Sequence, residues 1–93
     1  MSYFATSIKM KPYSFHSNDL LEIDQIYISG CPNPGFYKKA AVYDHLRKHP
    51  GTIKVNIYPY PNLVTALSPN YEKYVRSTPN GTTRDNLLSL PRV

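Results

Sequence analysis

The chain has 93 residues, with eleven Lys or Arg against six Asp or Glu, a formal net charge of +5, nine Tyr, nine Pro and a single Cys. That length holds one domain. One Cys excludes an intrachain disulfide framework, a dithiol redox pair and a thiolate-rich zinc site, and no run reaches the roughly 18 apolar residues of a membrane-spanning helix. The first ten residues lack a basic segment followed by an apolar stretch, so the reading is intracellular (cytoplasmic) or within a particle, not secreted. Asn80-Gly81-Thr82 is formally a glycosylation sequon, but after Pro79 it reads as a turn. Positive charge gathers only in pairs, Lys9/Lys11, Lys38/Lys39 and Arg47/Lys48. Such charge allows attraction to an anionic surface without identifying one.

Residues 1–21 read as an aromatic N-terminal arm. Tyr3, Phe4, Tyr13 and Phe15 follow no steady period there. An arm this aromatic packs on its own domain or on a neighbour. Residues 22–93 are then the domain. Residues 22–29 predict a strand, with Ile23, Ile26, Tyr27 and Ile28 ending at Ser29-Gly30. The breakers Gly30-Cys31-Pro32-Asn33-Pro34-Gly35 follow. Residues 36–49 then predict a helix whose stripe is Phe36, Ala40, Tyr43 and Leu46. Arg47, Lys48 and His49 suit its C-terminal dipole, and Pro50-Gly51 stops it. Residues 52–58 alternate, with Ile53, Val55 and Ile57 on one face, as a half-buried strand ended by Pro59 and Pro61. Strand, helix and strand in that order predict a parallel, right-handed β-α-β unit. Ser68-Pro69 reads as a helix start with Tyr71, Tyr74 and Val75 on one face. Thr78-Pro79-Asn80-Gly81 ends that helix. A short helix over residues 83–88, capped by Thr82 or Thr83, and an extended tail complete an α/β fold.

The junction at Cys31 carries the candidate chemistry. A cysteine between a strand and a helix meets unpaired backbone N–H groups and the helix dipole, both of which stabilise a thiolate. Lys38 would add to that field. Gln25-Ile26-Tyr27-Ile28-Ser29-Gly30-Cys31-Pro32, with its following helix, resembles the opening of a glutaredoxin or thioredoxin-like domain. That family's motif is Cys-Pro-x-Cys after the first core strand. The resemblance makes Cys31 the nucleophile, puts Pro34 where the resolving cysteine would stand, and leaves monothiol chemistry with glutathione. Ser89-Leu90-Pro91-Arg92-Val93 is similar to the family's stretch that holds a cis-proline beside the active cysteine, which makes Pro91 that proline. The resemblance implies a thioredoxin-like β-α-β core whose C-terminal part is truncated or completed by another chain. Against all this, Cys31 also reads as a small, partly buried turn residue.

The other constellations are less specific. His45 and His49 share a helix face at i, i+4 without an evident third ligand, so no metal site is assigned. Gly30 and Gly35 flank prolines, which lack the N–H donors of a phosphate loop. Tyr58-Pro59-Tyr60-Pro61 offers flat faces for bases, or simply packs on the domain. Three functions follow from these readings. The first is a module of a larger assembly, such as a capsid or other particle, acting by protein contact with no cofactor. The second is a monothiol oxidoreductase using Cys31, with glutathione. The third is a nucleic-acid binder using Lys38, Lys39, Arg47, Lys48 and the tyrosines. No membrane partner is expected.

Overall fold

A computed structural model of the chain describes residues 3–58, 60–78 and 86–93. Where the aromatic spacing predicts an arm, the chain opens with a central strand. β1 (Tyr3–Met10) pairs antiparallel with β2 (Ile23–Ser29) and parallel with β4 (Ile53–Val55). β3 (Gly35–Lys38) lies antiparallel on the far side of β2, so the four-stranded sheet runs β3-β2-β1-β4. The arm reading fails because the buried residues of β1, namely Ala5, Ile8 and Met10, are spaced by three and then by two. The register jumps between the pairs Ala5–Ile28 and Ser7–Tyr27, leaving Thr6 as an extra residue in β1. Such a bulge lets Ala5 and Ile8 face the same way despite their odd separation. A second jump, between Lys9–Gln25 and Met10–Ile23, gives β2 the extra residue Asp24. It puts Ile23 on the core face with Ile26 and Ile28.

The predicted helix of residues 36–49 splits in two. After the Cys31–Gly35 loop the chain runs back along β2, pairing Phe36 with Tyr27 and Lys38 with Gln25. Only then does α1 (Lys39–Lys48) begin, and it buries Lys39, Val42, Tyr43 and Leu46 while Ala40 stays exposed. The β-α-β unit is shifted accordingly. β3 and β4 are the parallel strands that α1 joins, at opposite edges of the sheet, and β1 separates β2 from β4. β4 is also shorter than its alternation predicts. Val55 N–H donates to Pro61 O at 2.8 Å and Tyr60 N–H to Ile57 O at 2.6 Å, so the chain turns away before Ile57 can join the ladder.

Where a helix is predicted from Ser68, the structure has a hairpin of β5 (Leu63–Leu67) and β6 (Lys73–Ser77). Ser68 Oγ accepts from the N–H groups of Asn70 and Glu72 at 3.2 and 3.0 Å. Tyr71 N–H donates to Ser68 O at 2.9 Å. A serine acceptor followed by proline serves a helix start and a tight turn equally well. Here the long-range pairing of the flanking strands decides in favour of the turn. Of the predicted helix over 83–88, the part within the described residues is a 3-10 turn at Asn86–Ser89. Its caps Thr82 and Thr83, the Asn80 sequon, the Pro79-Asn80-Gly81 turn and Pro59 lie outside the described residues. The tail is extended, with Ile8 N–H donating to Pro91 O at 2.9 Å and Val93 N–H to Ile8 O at 3.1 Å.

One face of the sheet receives the helix and the hairpin. Ala5, Ile8, Ile26, Ile28, Ile53 and Val55 form a single core with Val42, Tyr43 and Leu46 of α1, Leu63 and Val75 of the hairpin, and Leu87, Leu88 and Leu90. Polar contacts fix the same side. Lys39 Nζ donates to Leu21 O and to Glu72 Oε2 at 2.5 Å, and Lys11 Nζ reaches the same carboxylate at 3.3 Å. Lys73 Nζ meets Asp44 Oδ1 at 3.1 Å, linking β6 to α1. Arg92 ties the tail to residues 15–17 through the carbonyls of Phe15 and Ser17, at 2.6 and 2.8 Å. Among the described residues no helix is long and apolar enough to cross a membrane.

Two predictions follow from this packing. Tyr71 has φ 63° and its ring is exposed, so Tyr71→Gly relieves left-handed strain. It should raise unfolding stability by about 0.5–1 kcal/mol in a urea titration, and a loss of stability would show that the turn is not strained. The hydrogen bonds from Lys39 and Lys11 hold the Glu72 carboxyl below its ordinary value. Its contribution is therefore complete above the ordinary carboxylate range and is lost as pH falls through the lowered folded value. Glu72→Gln should lower the melting temperature at neutral pH and flatten the acid side of its pH profile, whereas an unchanged acid limb would assign acid sensitivity elsewhere.

Candidate functional site

The face of the sheet turned away from α1 carries the site. Residues paired in register point to the same face, which sorts the outward side chains into rows. Phe4 stands between Lys54 and Ser29, Tyr27 between Ser7 and Phe36, and Gln25 between Lys9 and Lys38. The two bulges add Thr6 and Asp24 to this face. The rings of Tyr27 and Phe36 meet edge to face with centroids 5.1 Å apart, and Phe36 is 39% exposed. At the other margin Phe4 meets Tyr60 at 6.3 Å and Tyr60 meets Tyr58 at 6.1 Å. Tyr60 sits at φ 61° in the turn after β4, a conformation few non-glycine residues adopt. That turn brings its ring back over Phe4. Lys54 Nζ donates to Asn62 Oδ1 at 2.9 Å, which fixes the lysine beside Phe4 and Tyr60. Among the described residues the face therefore presents two aromatic platforms with three lysines against one carboxylate, Asp24.

The residues singled out from the sequence do not converge. Cys31 is half-buried, and its thiol donates to Ile28 O at 3.7 Å. β3 stands between Cys31 and α1 in the chain, so the cysteine does not sit at a helix start. Lys38 pairs with Gln25 at the end of β3 remote from the Cys31 loop, about 10 Å along the strand from Gly35. Pro91 lies beside Ile8, whereas the neighbour of Cys31 in the sheet is the Phe4–Ser29 pair. Pro91 is thus toward the other end of β1. Lys39 is buried and spent on Glu72 and Leu21. Arg47 and Lys48 are exposed on α1, on the side of the sheet opposite Lys38. The expected basic set is therefore not one surface.

Cys31 does line a cleft of about 380 Å³ between α1 and the core face of the sheet, with Tyr3, Tyr37, Val42 and His45 among its walls. The Thr52 hydroxyl donates to His49 O at 2.7 Å, so at 3.1 Å it accepts from His45 Nε2. The imidazole proton is thereby assigned to Nε2. Among the described residues no group of three or more His, Cys, Asp or Glu side chains converges to hold a metal ion.

Residues 37–91, from β3 to the tail, match the family model described as Protein of unknown function (DUF3892). The chain belongs to the DUF3892 family. No curated protein and no solved structure matches it. The site of this DUF3892 chain therefore rests on its own geometry. The sequence reading misses it for a local reason. Phe36 falls on a helical stripe with Ala40 and Tyr43, and Phe4 falls in an aperiodic segment. The legible signals are Tyr58 and Tyr60, already singled out for their flat faces, Lys38, and the outward alternation of Lys54 beside Ile53 and Val55.

Proposed function

We propose that the chain binds single-stranded nucleic acid on the open face of its four-stranded sheet. The observation that carries this is the row Ser7–Tyr27–Phe36, bracketed in register by Lys9 and Lys38 on one side and by Lys54 on the other. Unpaired bases stack on aromatic faces, and lysines at the margins neutralise phosphates. Four strands at about 4.8 Å spacing make a platform roughly 14 Å across, which suits splayed bases better than the rounded surface of a duplex. Apolar packing, the Lys39–Glu72–Lys11 junction and the Arg92 contacts draw α1, the hairpin and the described tail to the other face, which favours an accessible platform. This reading takes up the third function expected from the sequence, the nucleic-acid binder, in place of the first, the module acting by protein contact.

Fluorescence anisotropy with labelled single strands tests it. Three lysines predict a slope of log K against log salt of about −2, or about 20-fold weaker binding at ~200 mM than at ~50 mM salt. Tyr27→Ala should cost about 1–3 kcal/mol of binding, since its half-buried side chain lies on the open face and serves this reading as a stacking platform. Arg47→Gln and Lys48→Gln should leave affinity nearly unchanged. Binding that ignores salt, or that depends on Arg47 and Lys48 instead, contradicts the assignment.

The shared cleft of Cys31 and His45 supports a second reading, monothiol exchange at Cys31 with glutathione. Alkylation rate against pH tests it. A midpoint well below the free-thiol value of about 8.5 supports the reading, and a midpoint at or above that value overturns it.

A further inference from the structure

We propose that Gln25 is the base-reading residue of the open face and that it selects adenine. The inference rests on the nucleic-acid reading above and adds a specificity to it. Gln25 precedes Tyr27 by two residues in β2, so both side chains leave the same face about 7 Å apart. Its in-register neighbours are Lys9 and Lys38, one on each flanking strand. A base stacked on one ring of the edge-to-face Tyr27–Phe36 pair has the Gln25 carboxamide within reach of one edge, with a cation on either side for the backbone.

The other neutral polar groups of the face are less suited. Ser29 Oγ is turned to the Phe4 carbonyl at 3.5 Å. Thr6 and Ser7 each carry one short hydroxyl. The Gln25 carboxamide is half-buried and has no hydrogen-bond partner among the described residues. It offers an acceptor and a donor side by side, the pattern that pairs with adenine N6 and N7. Asp24, the residue pushed onto this face by the second bulge, accepts only. It favours a base with an exocyclic amine over uracil, and the N7–O6 edge of guanine offers the Gln25 carboxamide two acceptors and no donor. Cytosine also has an amine, but its single ring stacks on an aromatic face with less area than a purine does.

Anisotropy competition with single-stranded hexanucleotides of A, C and U, and a mixed hexanucleotide carrying one G, reads this directly. The A hexamer should bind about tenfold more tightly than the U hexamer. In Gln25→Ala that ratio should fall to about twofold or less, with the salt slope unchanged from the native chain. The unchanged slope also reports that the variant is folded with its lysines in place. Equal binding of all four strands by the native chain overturns the inference and leaves the nucleic-acid reading standing. So does an adenine preference that survives in Gln25→Ala. Failure of the native chain to bind any strand overturns both.

Discussion

The sheet depends on a phase correction in its two central strands. β1 and β2 each carry one more residue than strict alternation allows, Thr6 in one and Asp24 in the other. In unbulged strands Ala5 and Ile8, three residues apart, would point to opposite faces, and so would Ile23 and Ile26. A one-residue slip in a strand exchanges its buried and exposed sets. These bulges therefore create both the unbroken apolar face that α1 and the hairpin cover and the aromatic face left outside.

Once one face is apolar, the covering elements have little choice. α1 crosses from β3 to β4 over that face and presents Val42, Tyr43 and Leu46 to it. The β5–β6 hairpin, which would be marginal alone, is held against α1 through the turn carboxylate of Glu72. Lys39 reaches this carboxylate from the first turn of the helix, and Lys11 reaches it from the end of β1. One acidic side chain thus joins three parts of the chain on the covered side.

The sequence shows part of this plainly and hides the rest for physical reasons. The strand at Ile23–Ser29, the end of α1 at His49-Pro50-Gly51 and the inward Ile53 and Val55 are local signals, and they are legible. β1 is not legible, because its bulge breaks the period that marks a strand. The helix start is misplaced because Phe36 falls at helical spacing from Ala40 and Tyr43, although its partner is Tyr27 on a neighbouring strand. The hairpin is missed because Ser68-Pro69 has the same local chemistry in a turn as at a helix start. The candidate face is a product of register between distant segments, so no linear motif announces it. Conversely, Cys31, Lys38 and Pro91 are conspicuous in the sequence and are not gathered by the fold.

The division of labour between the faces is the central claim. One face holds the domain together, and the other, on the proposed reading, offers stacking platforms and cations to an extended polyanion. Amide chemical shifts in a two-dimensional NMR titration with a short single strand test it most directly. The account predicts salt-sensitive shifts concentrated at Phe4, Ser7, Gln25, Tyr27, Phe36 and Lys38. Shifts concentrated instead on the exposed side of α1, at Arg47 and Lys48, would contradict it.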